Sequence, residues 1–316
     1  MDIDQRLIGR YADGGPGPIL ICISCLHGNE PSGLLGLRRV LETLEQQRPP
    51  FRGELIGFIG NLAALNGRRR YLQRDLNRSW HVEAVAGLRA EASPEALGPE
   101  DREQLELLQA IQSVLGRAPA DVYVLDQHST SAQGPPFAIV GPSWPNRAFA
   151  ARFPVPLVLG LQERLDGTLT EFVADLGAVT MAFEGGQHDN PQSVDCQEAA
   201  VWVALAIGGI VDADLPQVGR AHHTLVEASA GIPRAMQVRY RHAVDSGDGF
   251  RMDPGYRNMQ PIEAGDALGR DRDGPVTAPR SGRLVLPLYQ GLGDDGFFVA
   301  ETVEPAWLKS HVRTTY

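Results

Sequence analysis

The sequence is poor in cysteine, with three in 316 residues, too few for a disulfide framework. A reducing, cytoplasmic setting is therefore the expectation. Long apolar runs are also missing. The longest candidate, AAVWVALAIGGIV at 199–211, covers 13 residues and reads as a core helix rather than a membrane span. The opening MDIDQRLIGRYADGG has neither a basic n-region nor an apolar h-region, so no signal peptide is expected. Positive charge is in deficit: 29 Lys+Arg against 39 Asp+Glu give a formal charge of −10. Nucleic acid and anionic membranes are poor partners for such a chain, although a local basic pocket for a small anion is not excluded. There is no P-loop and no dinucleotide fingerprint. The glycines of GLGDDG (291–296) come with two acidic residues that would repel phosphate. No nucleophile elbow surrounds Ser129, Thr130 and Ser131, which disfavours a serine hydrolase.

What remains is an ordinary globular composition, 43% apolar and 22% charged. Residues 19–25, ILICISC, read as a strand buried on both faces. Pro31 and Ser32 open a helix whose Leu34, Leu37, Leu41 and Leu44 follow the helical period. Further strands are expected at 54–60, 121–128, 155–159 and 178–186. Helices are expected at 100–116 and over DCQEAAVWVALAIGGI. Strands alternating with helices predict an α/β sheet covered on both faces. The stretch 83–101, rich in Ala and Glu, reads as a surface excursion.

From RAHHTLVEASAGIP onward the pattern changes to short strands and frequent turns, which predicts a small all-β barrel or sandwich. The domain boundary is set at residue 214, giving a catalytic domain over 1–214 and a β-rich capping domain over 215–316. On a strand His222 and His223 would face opposite sides, so they are not expected to pair on a metal. A biotinyl/lipoyl-like turn pattern carries Arg280 and Ser281 where such modules carry a lysine, so no prosthetic group is expected. The module would cap the active-site mouth and favour small substrates.

In an α/β sheet, chemistry collects at the carboxyl ends of strands. Three strands here end in candidate zinc ligands or bases: one at His27 and Glu30 (LHGNE), one at His128 (DQHSTS), one at Glu184 (AFEGGQ). Two histidines and a carboxylate are a common catalytic zinc set. Between them, NGRRRYLQRDLNRSW holds five arginines. Asn77 with Arg78 can hold a carboxylate by paired hydrogen bonds, and Arg70 can polarise a scissile carbonyl.

The series HGNE, RYLQRDLNRSW, DQHSTS and FEGGQ, with LPLYQGLGDDGFF near the end, resembles the aspartoacylase/succinylglutamate desuccinylase family, relatives of the zinc carboxypeptidases. The resemblance covers essentially the whole chain. It implies a zinc-carboxypeptidase-like mixed sheet flanked by helices, followed by a small all-β domain. It implies one Zn²⁺ per chain on His27, Glu30 and His128, with Arg70 at the scissile carbonyl and Asn77 and Arg78 on a substrate carboxylate. Glu184 is implied as general base, then acid, and Tyr289 as a residue reaching the substrate. The implied reaction is hydrolysis of a small N-acyl amino acid by a zinc-activated water. Asp126, two residues before His128 on one strand, points the same way and could fix its ring. His188, four residues after Glu184, could contact substrate or shape the pocket entrance.

This chain departs from the family in the ISCL before its histidine. Cys22 and Cys25 are spaced as C-x-x-C but read as core residues, since strand residues three apart face opposite sides. Cys25 could also line the pocket floor, and Cys196 reads as structural. Two other readings share the zinc set: a carboxypeptidase or amidase acting on peptides, and a hydrolase of a carboxylate-bearing ester. The first needs an open groove, against which the β cap weighs. A non-catalytic binding protein is disfavoured by the intact Glu184. The acyl group, the amine and the oligomeric state stay open; a homodimer or tetramer is the common case.

Overall fold

The apolar run 19–24 is buried at every position, because alternate side chains enter two different cores. Leu20 and Cys22 pack into one, Ile19, Ile21 and Ile23 into the other. A strand between two helical layers must be apolar on both faces.

The computed structural model describes residues 4–13, 15–91, 96–245 and 247–311. The chain begins with β1 (Leu7–Tyr11), β2 (Ile19–Ser24), α1 (Ser32–Gln47), β3 (Glu54–Ile59) and α2 (Leu62–Asn66). A 3₁₀ turn (Leu76–Arg78), α3 (Val82–Ala90) and α4 (Pro99–Leu115) follow. Next come β4 (Val122–Thr130), β5 (Phe137–Val140), α5 (Trp144–Ala150), β6 (Leu157–Leu159) and another 3₁₀ turn (Gln162–Arg164). The middle of the chain closes with α6 (Leu169–Asp175), β7 (Val179–Gln187), α7 (Pro191–Ile207) and α8 (Pro216–Ala228). The last part holds β8 (Ala235–Ala243), β9 (Arg251–Met252), β10 (Pro261–Ile262), β11 (Ala267–Asp271), β12 (Gly274–Thr277), β13 (Gly282–Val285), β14 (Asp295–Thr302) and α9 (Ala306–His311).

Eleven strands form one mixed sheet in the order β1-β3-β2-β4-β7-β5-β6-β8-β14-β13-β10, and β12-β11-β9 form a small separate sheet. The run β3-β2-β4-β7 is parallel, so β2, β4 and β7 all end at one edge. Helices α1, α7 and α8 cover one face around Leu37, Leu44, Trp202 and Leu205. Helix α4, with Leu107, Leu108 and Ile111, covers the other. Gly36 allows α1 to sit close on α7: a Cβ there would lie 2.6 Å from the Glu198 nitrogen.

One reading of local structure is corrected. Residues 216–228, expected among short strands, form α8, with Val218, Ala221 and Leu225 buried along one side. His222 and His223 thus lie on a helix, and exposed His223 pairs with Glu227 one turn on, 3.2 Å away. In the stretch 83–101, α3 runs to Ala90 with only Val85 buried and α4 starts at Pro99; residues 92–95 lie outside the described residues. Strands β8, β14, β13 and β10 extend the main sheet through the β6–β8 parallel pair. No helix among the described residues is long and apolar enough to cross a membrane.

Candidate metal centre and active site

Strand β2 ends at Ser24, and the turn that follows carries two of the candidate ligands. Cys25 adopts a left-handed backbone, φ 58°, and redirects the chain. Gly28 is needed because a Cβ there would lie 2.1 Å from the Ala64 carbonyl carbon. Backbone bonds tie the turn from both sides: Gly28 N to Arg70 O at 3.2 Å, Asn61 N to Cys25 O at 2.9 Å, Glu30 N to His27 O at 3.1 Å. Cys25 itself is buried against Leu34 and Ile59, and its thiol faces the Glu30 carbonyl oxygen at 3.6 Å. It does not line the cavity, contrary to the pocket-floor reading, and burial pushes its thiol up to about 12.

His27, Glu30 and His128 converge, each with one donor atom within 4.8 Å of the others, all buried. Glu30 bridges the rings. Its Oε1 lies 2.9 Å from His27 Nδ1 and its Oε2 lies 3.0 Å from His128 Nδ1. The outer nitrogens are committed elsewhere: His27 Nε2 lies 3.1 Å from Asp75 Oδ1, and His128 Nε2 lies 3.0 Å from Asp126 Oδ2. Each ring thus has a carboxylate behind it and turns Nδ1 to a shared centre, as in a histidine–carboxylate metal site. Two imidazole nitrogens and a carboxylate are a donor set that fits a divalent metal.

Charges follow the geometry. Burial opposes ionisation of Glu30, yet His27 and His128 hold it well below the usual carboxylate range. Asp75 is likewise held low, against burial, by His27 and Arg70. Burial would lower His128, but Asp126 and Glu30 raise it well above an ordinary imidazole.

Glu184 on β7 is the register partner of His128 on β4. It is buried, and its Oε2 has no hydrogen-bond partner among the described residues. Burial raises its carboxyl to about 8. Arg70 faces the same cavity, 2.8 Å from Asp75 Oδ2 and 3.4 Å from Glu30 Oε1. Asn77 accepts a bond from Leu169 N at 2.9 Å, and its amide nitrogen lies 3.5 Å from His128 Nε2. Arg78 donates to Asp295 Oδ2 at 2.7 Å and to Asn77 O at 2.8 Å, while its buried Nε has no partner among the described residues.

These groups line a cavity of about 110 Å³. Leu286, Pro287, Leu288, Asp294, Asp295 and Phe298 bring the C-terminal part of the chain to its wall. The structure thus brings His27, Glu30, His128, Glu184, Arg70, Asn77 and Arg78 together, with Asp126 behind. It does not bring Tyr289 there. That hydroxyl donates to Asp253 O at 2.6 Å and accepts from Tyr256 N at 2.9 Å, and the ring lines an outer cavity instead. His188 borders the outer cavity as well, its Nδ1 2.8 Å from Ser129 Oγ.

Asp75 is the residue that reading the sequence did not assign. It supports His27, pairs with Arg70 and caps the 3₁₀ turn by accepting from Asn77 N at 2.8 Å. Its position two before Asn77, as an Asx cap, was the available signal.

Residues 16–204 match the family model of the succinylglutamate desuccinylase/aspartoacylase catalytic domain, more than half of the chain. The chain belongs to this family. No curated protein sequence matches it. Among solved structures, the fold is similar to a succinylglutamate desuccinylase/aspartoacylase from Rhodobacter sphaeroides, with 18% identity and a TM-score of 0.64 over 92% of this chain and 87% of that one. It is similar to the product-bound ectoine utilization protein EutE (DoeB) from Ruegeria pomeroyi, with 21% identity and a TM-score of 0.64 over 93% and 87%. A succinylglutamate desuccinylase from Silicibacter sp. TM1040 matches at 17% identity and a TM-score of 0.63 over 96% and 97%. The large mixed sheet flanked by helices, with antiparallel strands toward the C-terminus, matches the fold of these desuccinylase/aspartoacylase structures, as the sequence motifs predict.

Proposed function

We propose that the protein is a zinc-dependent hydrolase that cleaves the amide bond of a small N-acyl amino acid. The observation that carries this reading is the pairing of Glu184 with His128. A buried carboxyl with a free oxygen sits in register beside a candidate metal ligand, in one cavity with Arg70.

His27, Glu30 and His128 would hold one zinc ion per chain. When bound, zinc supplies a Lewis acid and makes a water acidic near neutral pH. Glu184 accepts the proton of the attacking water and returns it to the leaving amine, which must not depart as an anion. The Arg70 guanidinium stabilises the carbonyl oxygen as it gains charge. Its partners Asp75 and Glu30 hold it in position. Asn77 and Arg78 take the substrate carboxylate, with the spare Nε of Arg78 as one donor. Asp126 and Asp75 orient the histidine rings.

A cavity of about 110 Å³ suits a small amide better than a peptide. The three cysteines are free, which suits a reducing cytoplasm. The test is amine release from N-acetyl, N-formyl and N-succinyl amino acids by zinc-loaded protein, with Glu184→Gln as the blank. Turnover that vanishes in the variant while zinc stays bound is the expected result. Zinc-loaded protein that hydrolyses only esters or peptides would replace this reading, and protein that binds no zinc would end it.

A further inference from the structure

A second cavity, of about 630 Å³, borders β7 just past Glu184, at Gly185 and Gly186. It shares no lining residue with the cavity of the candidate metal ligands. Its walls come from the first turn of α7, the end of α8, the 133–136 loop and the 257–261 segment, with Arg283 of β13. Asn258 ties one cavity to the other. Its Nδ2 donates to Thr130 Oγ1 at 3.1 Å and its Oδ1 accepts from Leu286 N at 2.6 Å, and both partners line the inner cavity.

The chain carries a formal charge of −10, yet two arginines and no Asp or Glu line this second cavity. Arg257 is exposed and also borders the outer cavity; its guanidinium has no partner among the described residues. Arg283 donates to Met259 O at 2.7 Å and has no carboxylate partner among the described residues. The acids near them in the chain are committed elsewhere: Glu263 accepts from Ser281 Oγ at 2.9 Å, and Glu301 pairs with Arg239 and Arg280. Cys196, which also lines the cavity, stays a neutral thiol, pushed up to about 12 by burial.

Helix α7 presents its first turn to the same space. Asn190 caps it by accepting from Gln192 N at 3.0 Å, and Ser193 follows. Ser193 is 1% exposed, lines the cavity, and its Oγ has no partner among the described residues. The positive end of a 17-residue helix and a buried hydroxyl without a partner thus join the two arginines. Pro135, Pro136, Ile232 and Met259 make the rest of the wall apolar.

We infer that this cavity is a binding site for a small organic anion, a carboxylate or phosphate on a short apolar body. Arg257 and Arg283 meet the charge, Ser193 donates a hydrogen bond, and the apolar wall takes the body. The site is separate from Asn77 and Arg78, and it stands whether or not the hydrolase reading does.

Calorimetry on the full chain as purified tests it, with ethyl phosphate, butanoate and the neutral butanamide as probes. Arg78→Gln serves as the background, because it weakens the other anion site. At least one of the two anions should bind, one per chain, and butanamide should not. The tighter of the two names the head group. Arg257→Gln should weaken that anion about tenfold. Arg257 is exposed and braces nothing, so this variant keeps the fold. Arg283→Gln should act in the same direction, and Ser193→Ala should weaken binding severalfold. Backbone amide shifts on titration should centre on Gly186, Gln192 and Ser193. Four results would overturn the inference: no binding of either anion, binding indifferent to both arginine variants, butanamide binding as tightly as butanoate, or shifts centred on His27 and Glu30.

Discussion

His128 on β4 and Glu184 on β7 are register partners across two parallel strands, so their side chains leave the sheet on the same face. A register shift lies directly beyond, between His128 and Thr130, before pairing resumes at Thr130 and Gln187. The proposed ligand and the proposed base are therefore set by the sheet itself, not by a loop. Because burial raises Glu184 to about 8, its folded-state value lies above that of a free glutamate, whose ordinary value is 4.5. The neutral form then contributes stability that is fully present below 4.5 and is lost as pH rises through 8. In metal-free protein, the Tm of the native chain relative to Glu184→Gln should fall between pH 5 and pH 9, by a few degrees. Thermal scans across that range check it, and a constant difference would contradict it.

Zinc uptake should be proton-linked. Burial works against protonation of His128, but Asp126 and Glu30 raise its affinity for a proton well above that of an ordinary imidazole in the metal-free protein. A metal on Nδ1 must displace that proton. Apparent zinc affinity, measured by competition with a chelator, should weaken by about tenfold per pH unit toward acid. Indicator dye should register proton release on binding at neutral pH.

The carboxylates behind the rings should matter to the metal and not to the fold. Asp126→Asn and Asp75→Asn leave isosteric groups 3.0 and 3.1 Å from the Nε2 atoms but remove the charge. Each should reduce zinc affinity by about 10- to 100-fold. Asp75→Asn should in addition raise KM or lower kcat, because Arg70 loses the nearer of its two charged partners. Equilibrium dialysis and steady-state kinetics separate the two effects.

Gly28→Ala should destabilise the protein by about 3 kcal/mol, since the added methyl overlaps the backbone of α2. Urea melts of the metal-free proteins measure it. The same variant should lose zinc, because the turn holding His27 and Glu30 must shift.

The central strands were legible in the sequence because strands buried on both faces are continuously apolar, as in ILICIS before His27. Their ends were less so: β4 runs on, buried, past VYVL through Asp126 and His128 to Thr130, and β7 passes Glu184 to end at Gln187. Helix α8 was not recognised, although Val218, Ala221 and Leu225 keep the helical spacing, since Gly219 and two adjacent histidines blur it. Asp75 could not be assigned a role from one sequence, because it meets His27 across 48 positions. Tyr289 shows the limit of a motif: the residues around it are as expected, yet its hydroxyl bonds to Asp253 O and Tyr256 N and its ring lies outside the cavity of the candidate ligands.

The parallel pairing of β6 with β8 carries one more consequence. The strand that bears Phe298 is hydrogen-bonded to β8, β8 to β6, and so on in an unbroken ladder to the strands of His128 and Glu184. A clam-shell opening between the metal edge and the Phe298 wall would require tearing that ladder. The two walls of the cavity keep a fixed spacing, so the cavity is a rigid gauge that any ligand must fit as it stands.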